Sequence, residues 1–157
     1  MQDKYSSIPE TQKHIKTVYK NITKIMVELM ARANRHDQTK MKTGEVEYFD
    51  EYTPKLAGCT YGSEEYKQHL AELKTALAHH YANNRHHPEH FKDGIKGMNL
   101  IDLIEMFCDW YAATKRHNNG DLLKSIEINQ KRFNYTDELR SILENTYKDI
   151  FAEVSHG

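Results

Sequence analysis

The sequence predicts an all-α protein, a single-domain bundle of about six helices. In several long segments apolar residues recur at intervals of three and four, the spacing of an amphipathic helix. No segment shows a strong alternating pattern typical of strands, and no repeat or low-complexity linker divides the 157 residues. A chain of this length usually forms one domain with a buried core. The helices are therefore expected to pack together.

The first predicted helix runs from about Thr11 to Asn34. Its apolar positions are Ile15, Val18, Ile22, Ile25, Met26 and Leu29. His14 falls on the same helical face, so we expect it to point inward. His36-Asp37 follows the helix directly. Adjacent residues diverge by 100° on a regular helix, so both can reach one metal ion only where the backbone changes direction.

Two further helices are predicted at about Gly44–Lys55 and Glu64–Ala82. We expect Thr53-Pro54 to close the first, because proline has no amide hydrogen to continue the helix. Residues 56–62 are rich in small and turn-forming residues and indicate a loop. Ser63 is a suitable N-cap for the helix that follows.

Five of the ten histidines lie between His79 and His90. Helical phase places His80 on the apolar face of its helix and His79 on the polar face, so His80 is the better candidate metal ligand. Asn84 follows on the same inner face if helical geometry continues. Pro88 ends any helix here and leaves His86 and His87 close to a turn, and helical phase does not choose which of these two histidines points inward.

A strongly apolar helix is predicted from about Met98 to Arg116. Asp102, Glu105 and Asp109 form a narrow acidic stripe with apolar residues on both sides. Such a helix fits burial with its carboxylates directed into a polar or metal-filled cavity, and an exposed acidic edge is the alternative. A turn at 118–120 and two helices, at about 121–133 and at about 136–153 with Thr136 as N-cap, complete the chain.

Charge and cysteine content restrict the class of protein. Lys and Arg total 22, Asp and Glu total 23, and the formal net charge is -1, so long nucleic acid and anionic membranes are not expected partners. No signal-peptide core and no run of about 18 apolar residues is present. Cys59 and Cys108 cannot form a disulfide framework. We therefore expect a cytoplasmic protein with reduced thiols.

Residues that commonly bind metals follow one another in a recognisable order. They are His14, His36-Asp37, His80, His86 or His87, and a late aspartate. This order resembles the HD-domain superfamily of metal-dependent phosphohydrolases, which has a helical His, then His-Asp, optional further histidines and a C-terminal Asp. The resemblance covers about residues 13–115. It implies an HD-like core at about 11–117, followed by C-terminal helices at about 121–153.

Two short segments carry this resemblance most specifically. Residues 36–40 read H-D-Q-T-K and are similar to the H-D-x-x-K form of many members. Residues 108–113 read C-D-W-Y-A-A and are similar to the final segment, in which a small residue precedes Asp and Ala follows three positions later. The second match selects Asp109 over Asp102. H-H-P-E-H and E-M-F-C-D-W also resemble a group of uncharacterised phage and bacterial proteins, which implies no activity.

The resemblance implies a metal site with one or two ions. The ligands implied for a first ion are His14, His36, Asp37 and Asp109, and those added for a second ion are His80 and His87. Asp37 is expected to bridge the two ions. Mixed imidazole and carboxylate ligands suit Mn, Fe, Co, Ni or Zn, so we expect a divalent transition metal as cofactor.

The same resemblance implies catalytic roles for Asp37, Lys40 and Glu105. The metal acidifies a water for attack on phosphorus, and Lys40 neutralises charge on the phosphoryl oxygens. Glu105 accepts a proton or orients a ligand histidine. The candidates for substrate binding are Arg35, Lys40, Asn84 and Arg85. For the lysine and the arginines, an ordinary surface position is the alternative.

The expected function is hydrolysis of a nucleotide or another small phosphate ester. An alternative is a non-enzymatic helical binding or regulatory protein, for example a phage-encoded partner of a host protein, with a structural metal or none. An HD-like oxygenase with a di-iron site is a third hypothesis. Metal content separates the first two, and oxygen consumption identifies the third. The sequence does not predict the oligomeric state.

Overall fold

The computed structural model describes residues 5–59, 63–116 and 120–152. Within these ranges every regular element is helical, which confirms the predicted all-α class. The chain divides into two compact units, residues 1–36 and 37–157, and each is described by itself.

The first unit contains one long helix in its described part, α1 (Ile8–Arg35), of 28 residues. Pro9 lies in its first turn, where a missing amide hydrogen leaves no helical bond unmade. No residue of α1 is buried, and the side chain of His14 is exposed, contrary to the inward orientation expected from helical phase. The physical reason is that the unit offers no second helix to cover the apolar face of α1.

The second unit contains six α-helices in its described part. They are α2 (Val46–Gly58), α3 (Glu64–Glu72), α4 (Lys74–Asn83), α5 (Leu100–Thr114), α6 (Leu122–Phe133) and α7 (Asp137–Thr146). Short 3-10 turns occupy Gln38–Met41, Pro88–His90 and Gly94–Gly97, and a π-helical turn follows α7 at Tyr147–Phe151. None of the helices in the described ranges is long and apolar enough to cross a membrane.

Two predicted boundaries are wrong. Pro54 does not end α2, which continues to Gly58, so the cost of a proline inside a helix is not enough to end this one. The helix predicted at Glu64–Ala82 is two helices that meet at Leu73. The backbone of Leu73 stays in the right-handed region, and its amide still bonds to the His69 carbonyl. The apolar periodicity therefore continues across the break and hides it.

The last helices begin close to the predicted positions. Asp121 caps α6 by accepting bonds from two backbone amides of its first turn, and Thr136 caps α7, as predicted. Asn134, with φ of 50°, ends α6 in the left-handed conformation that asparagine tolerates. The turn residues 118 and 119 and the predicted helix end at residue 153 lie outside the described ranges.

An apolar core joins α5, α6 and α7. Its buried residues are Phe107, Leu122, Ile126, Tyr135 and Leu143. The Tyr135 hydroxyl donates a 2.6 Å hydrogen bond to the Ile126 carbonyl, so this buried polar group has a partner. The Trp110 ring stacks on Phe133. This core fixes α5, the helix that carries the acidic stripe.

Candidate metal centre

Four side chains of the second unit converge on one point. They are Asp37, His80, His86 and His87, and we call them the four-ligand cluster. Each offers a nitrogen or a carboxylate oxygen, and these atoms lie within 4.8 Å of one another. His80 and His86 are almost fully buried, whereas Asp37 and His87 are partly accessible. The cluster is therefore a largely enclosed polar site in which two of the four side chains remain partly accessible to solvent.

Three segments bring the cluster together. Asp37 precedes the first 3-10 turn with φ of 55°, a left-handed conformation that aspartate tolerates better than most residues. His80 lies in the last turn of α4. His86 and His87 lie in the loop before Pro88, where His87 has the extended backbone expected before a proline.

The donor spacing matches the spacing around a transition-metal ion. His80 Nε2 lies 3.0 Å from His87 Nε2 and 3.2 Å from Asp37 Oδ1. His86 Nε2 lies 3.4 Å from the same Asp37 oxygen. Metal–ligand bonds of about 2.0–2.2 Å place neighbouring donors about 3.0 Å apart at right angles and about 3.4 Å apart at the tetrahedral angle. The cluster can therefore enclose an ion with little rearrangement.

Two carboxylates, the buried Glu45 and the partly buried Glu105, contact the Nδ1 atoms of these imidazoles. His80 Nδ1 lies 3.0 Å from Glu45 Oε2, and His86 Nδ1 lies 3.1 Å from Glu105 Oε1. An Nδ1–H donated to each carboxylate leaves the Nε2 lone pair directed at the cluster. This carboxylate–histidine arrangement fixes the tautomer and raises the basicity of histidines that bind metals.

Glu45 organises a wider hydrogen-bond network. Thr39 Oγ1 donates to Glu45 Oε2 at 3.0 Å, and Asn84 donates to Thr39 Oγ1 at 2.8 Å. The other oxygen, Glu45 Oε1, lies 2.6 Å from His79 Nδ1. Burial opposes ionisation of Glu45, but its bonds with His79, Thr39 and His80 lower the pKa of its carboxyl overall. The network thus keeps a charged carboxylate against His80.

Asp37 and His87 have strongly shifted pKa values. Burial opposes ionisation of Asp37, but interactions with His80, His86 and Lys40 hold its pKa far below the usual range. The Lys40 ammonium donates to Asp37 Oδ2 at 2.6 Å. Burial is the largest cause that lowers the pKa of His87 to about 3, and the neighbouring His86 and His80 lower it further. At neutral pH the site therefore presents a carboxylate and a neutral imidazole, both competent ligands.

The acidic residues of α5 separate into different environments. Asp102 is fully buried at the start of the helix, where it completes a capping box with Asn99 and receives two bonds of 3.0 and 2.9 Å from Arg85. Glu105 contacts His86, as described above. Asp109 places a carboxylate oxygen within 4.8 Å of one on Asp37. Asp102 therefore belongs to the helix start, whereas Asp109 lies beside the four-ligand cluster.

The remaining predicted residues have varied surroundings. His14, Arg35 and His36 belong to the first unit, and Arg35 lies 3.8 Å from Glu28. In the second unit Arg85 pairs with Asp102 and lies over the Phe91 ring, and Asn84 donates to the His80 carbonyl at 2.8 Å. These contacts give Arg85 and Asn84 structural partners. Their contact with substrate, and metal binding by the two histidines, stay predictions of the resemblance.

Sequence reasoning missed Glu45 and did not choose His86. Glu45 precedes α2 and meets His80 across 35 residues, so no local pattern predicts the contact. His86 and His87 were both candidates, with His87 taken from the resemblance, and the structure brings both into the cluster. The turn before Pro88 allows this, because neighbouring residues in it do not diverge as they do on a helix.

Comparison with known proteins gives one match. The model of a family described as having unknown function matches residues 3–155, nearly the whole chain. No curated protein and no solved structure matches the chain.

Proposed function

The chain belongs to the family of unknown function DUF5662, and we propose that it is a metal-dependent phosphohydrolase acting on a nucleotide or another small phosphate ester. The observation that carries this proposal is the convergence of three imidazole nitrogens and one carboxylate oxygen in the four-ligand cluster. The similarity of residues 36–40 and 108–113 to the HD-domain pattern supplies the reaction class.

The chemistry of the donors favours a cation at this point. If neutral His80 and His86 donate their Nδ1 protons to Glu45 and Glu105, both direct Nε2 lone pairs toward Asp37 Oδ1. Acceptors at such distances repel one another unless a proton or a metal ion lies between them. A divalent ion satisfies all of them together, and imidazole with carboxylate suits Mn, Fe, Co, Ni or Zn.

A bound ion of this kind would supply Lewis acidity, which acidifies water and withdraws charge from a phosphoryl oxygen. The protein's own groups would then position the reactants. Lys40 holds Asp37 Oδ2 at 2.6 Å, which leaves Oδ1 directed at the cluster. The Lys40 side chain is also 31% exposed, so its ammonium can meet a phosphate that approaches from solvent. Glu105 keeps His86 in its ligand orientation.

The substrate and setting form part of the proposal. A net charge of -1 supports a small phosphate-containing substrate rather than long nucleic acid. Cys59 and Cys108 are free cysteines, which suits the reducing cytoplasm. We propose no membrane partner.

The test begins with untagged protein purified without added metal. We expect bound divalent transition metal, and release of phosphate, pyrophosphate or nucleoside from a nucleotide panel when Mn²⁺ or Co²⁺ is added. His80→Ala should lose both properties. His90→Ala is the matched control, because His90 belongs to the same histidine-rich stretch but bonds to the Tyr81 carbonyl outside the four-ligand cluster.

Two results would reject the proposal. One is less than about a tenth of an equivalent of metal together with a melting temperature that ignores Mn²⁺, Zn²⁺ and EDTA. That result favours a non-enzymatic binding or regulatory protein. The other is stoichiometric metal without turnover of nucleotides, cyclic nucleotides or generic phosphodiesters. Iron combined with oxygen consumption would identify an oxygenase instead.

A further inference from the structure

A second group of metal-binding side chains lies at the junction of α2 and α3. Cys59, Glu65 and His69 each offer one ligand atom, and these atoms lie within 4.8 Å of one another. None of the three belongs to the four-ligand cluster or to the proposed reaction. Cys59 and His69 are partly buried, and Glu65 is exposed, so the group borders solvent.

Local structure explains why these three side chains meet. Glu65 and His69 are four residues apart on α3, and residues at this spacing share one face of a helix. Cys59 follows the last residue of α2, and its amide bonds to the Leu56 carbonyl. Helices α2 and α3 are in contact. The contact between α2 and α3 therefore brings the cysteine close to the Glu65–His69 face.

The surroundings of His69 favour metal binding by its outer nitrogen. His69 Nδ1 lies 3.3 Å from Glu72 Oε2, and a proton donated to this carboxylate leaves a lone pair on Nε2. Carboxylates behind ligand histidines act in this way in metal sites. The contact of His69 Nδ1 with a carboxylate is of the same kind as the contacts of His80 with Glu45 and of His86 with Glu105.

A nucleophilic role for Cys59 fits these surroundings less well. Reactive cysteines are usually thiolates stabilised by positive charge. Partial burial and the adjacent Glu65 carboxylate instead raise the pKa of the Cys59 thiol. A divalent cation reverses this balance, because it neutralises both a thiolate and a carboxylate.

We propose that Cys59, Glu65 and His69 bind one zinc ion, which joins the end of α2 to α3. Sulfur, nitrogen and carboxylate oxygen are the three donor types that Zn²⁺ takes in proteins. Three protein ligands leave a fourth position for water at the solvent side. The ion would tie the two helices together, and it would take no part in the phosphate chemistry.

Cobalt absorption tests this site separately from the four-ligand cluster. A Co²⁺–thiolate bond gives a near-ultraviolet charge-transfer band, and the four-ligand cluster contains no sulfur. Titration of the reduced, metal-free, full-length protein should produce this band, and Zn²⁺ should remove it. Cys59→Ser should abolish the band, whereas the matched variant Cys108→Ser should keep it. Absence of the band in wild type, or its persistence in Cys59→Ser, would overturn the proposal.

Thiol alkylation provides a second measurement that does not depend on cobalt. Zn²⁺ should slow the reaction of Cys59 with iodoacetamide at least about tenfold, because a coordinated thiolate is withdrawn from attack. Cys108 in the same sample should be unaffected, and His69→Ala should remove the protection of Cys59. Equal protection of Cys59 in His69→Ala would show that the histidine is not a ligand.

Discussion

Helix α5 contributes to two regions of opposite character. Phe107 packs into the apolar core with Leu122 and Ile126, while Glu105, two residues earlier, holds His86 in the four-ligand cluster. Burial of apolar surface stabilises the core, at roughly 25 cal/mol per Å². Enclosing carboxylates and imidazoles costs free energy unless their charges are satisfied. The core therefore maintains the fold, whereas under the proposed function a bound cation would offset the cost of the cluster.

The largest effect should come from removing core volume. Ile126 is fully buried, so Ile126→Ala leaves a cavity and should lower the free energy of unfolding by about 2–5 kcal/mol. Chemical denaturation measures this loss. Metal affinity of the folded variant at low temperature should stay near the wild-type value. If metal affinity fell along with stability, the two regions would not be separable in this way.

Removing the Asp109 carboxylate should reduce metal affinity and leave stability largely intact, the reverse of the effect of Ile126→Ala. Its carboxylate lies beside Asp37, so Asp109→Ala should reduce metal affinity and phosphate-ester turnover at least about a hundredfold, while the packing of Phe107 preserves the fold. Metal titration, turnover and circular dichroism of one preparation test all three expectations.

Asp102→Ala is the matched comparison on the same helix. This change removes the capping box and leaves Arg85 without its carboxylate partner, so we expect a stability loss of about 1–3 kcal/mol and a milder effect on metal. If Asp102→Ala lost metal and Asp109→Ala retained it, the ligand would be Asp102 at the start of α5, and the assignment of Asp109 would be wrong.

Glu45→Gln should weaken the cluster without removing any of its ligands. Glutamine is nearly isosteric but has no negative charge to hold the His80 Nδ1 proton, so metal affinity should fall about 10–100-fold. Competition with a chromophoric chelator measures the change. Glu51→Gln, an exposed substitution on α2 next to Lys55, should bind metal like wild type. Equal affinities in wild type and Glu45→Gln would mean that Glu45 only supports local structure.

The smallest expected effect concerns pH. The pKa of His87 is about 3 in the folded protein against 6.5 in the unfolded chain, so between these values the unfolded state binds more protons. The metal-free protein should therefore lose stability as pH falls below about 6.5, by about 1.4 kcal/mol from this group between pH 7.5 and 5.5. Denaturation with EDTA should show a shallower loss in His87→Gln. An unchanged slope would contradict the pKa of His87.

The fold was more predictable than the cluster because local signals specify helices. Apolar spacing predicted α5, and cap residues such as Thr136 predicted where later helices begin. Helical phase also favoured His80 over His79, and His80 is the buried one of the two. Phase failed for His14, because an amphipathic pattern shows which face is apolar but not whether another helix covers it.

Helical periodicity and cap residues do not predict contacts between residues that are distant in the sequence. The bonds of Glu45 with His80 and of Arg85 with Asp102 join segments that no periodicity relates. One local signal could have been used: Asn99 and Asp102 have the spacing of a capping box, which assigns Asp102 to the start of α5 rather than to the site. The similarity of residues 108–113 to the HD-domain pattern also favours Asp109 over Asp102 as the metal ligand.

The left-handed backbone of Asp37 limits which residues can replace it. Most L-residues pay roughly 1–2 kcal/mol in this conformation, whereas asparagine and glycine adopt it readily. A comparison that uses alanine would therefore combine a conformational penalty with the loss of a ligand. Asparagine retains the backbone preference and the side-chain shape while removing the charge. At this position Asp37→Asn thus removes the charge and one acceptor oxygen without adding a conformational penalty, and chain geometry and ligand chemistry together favour aspartate.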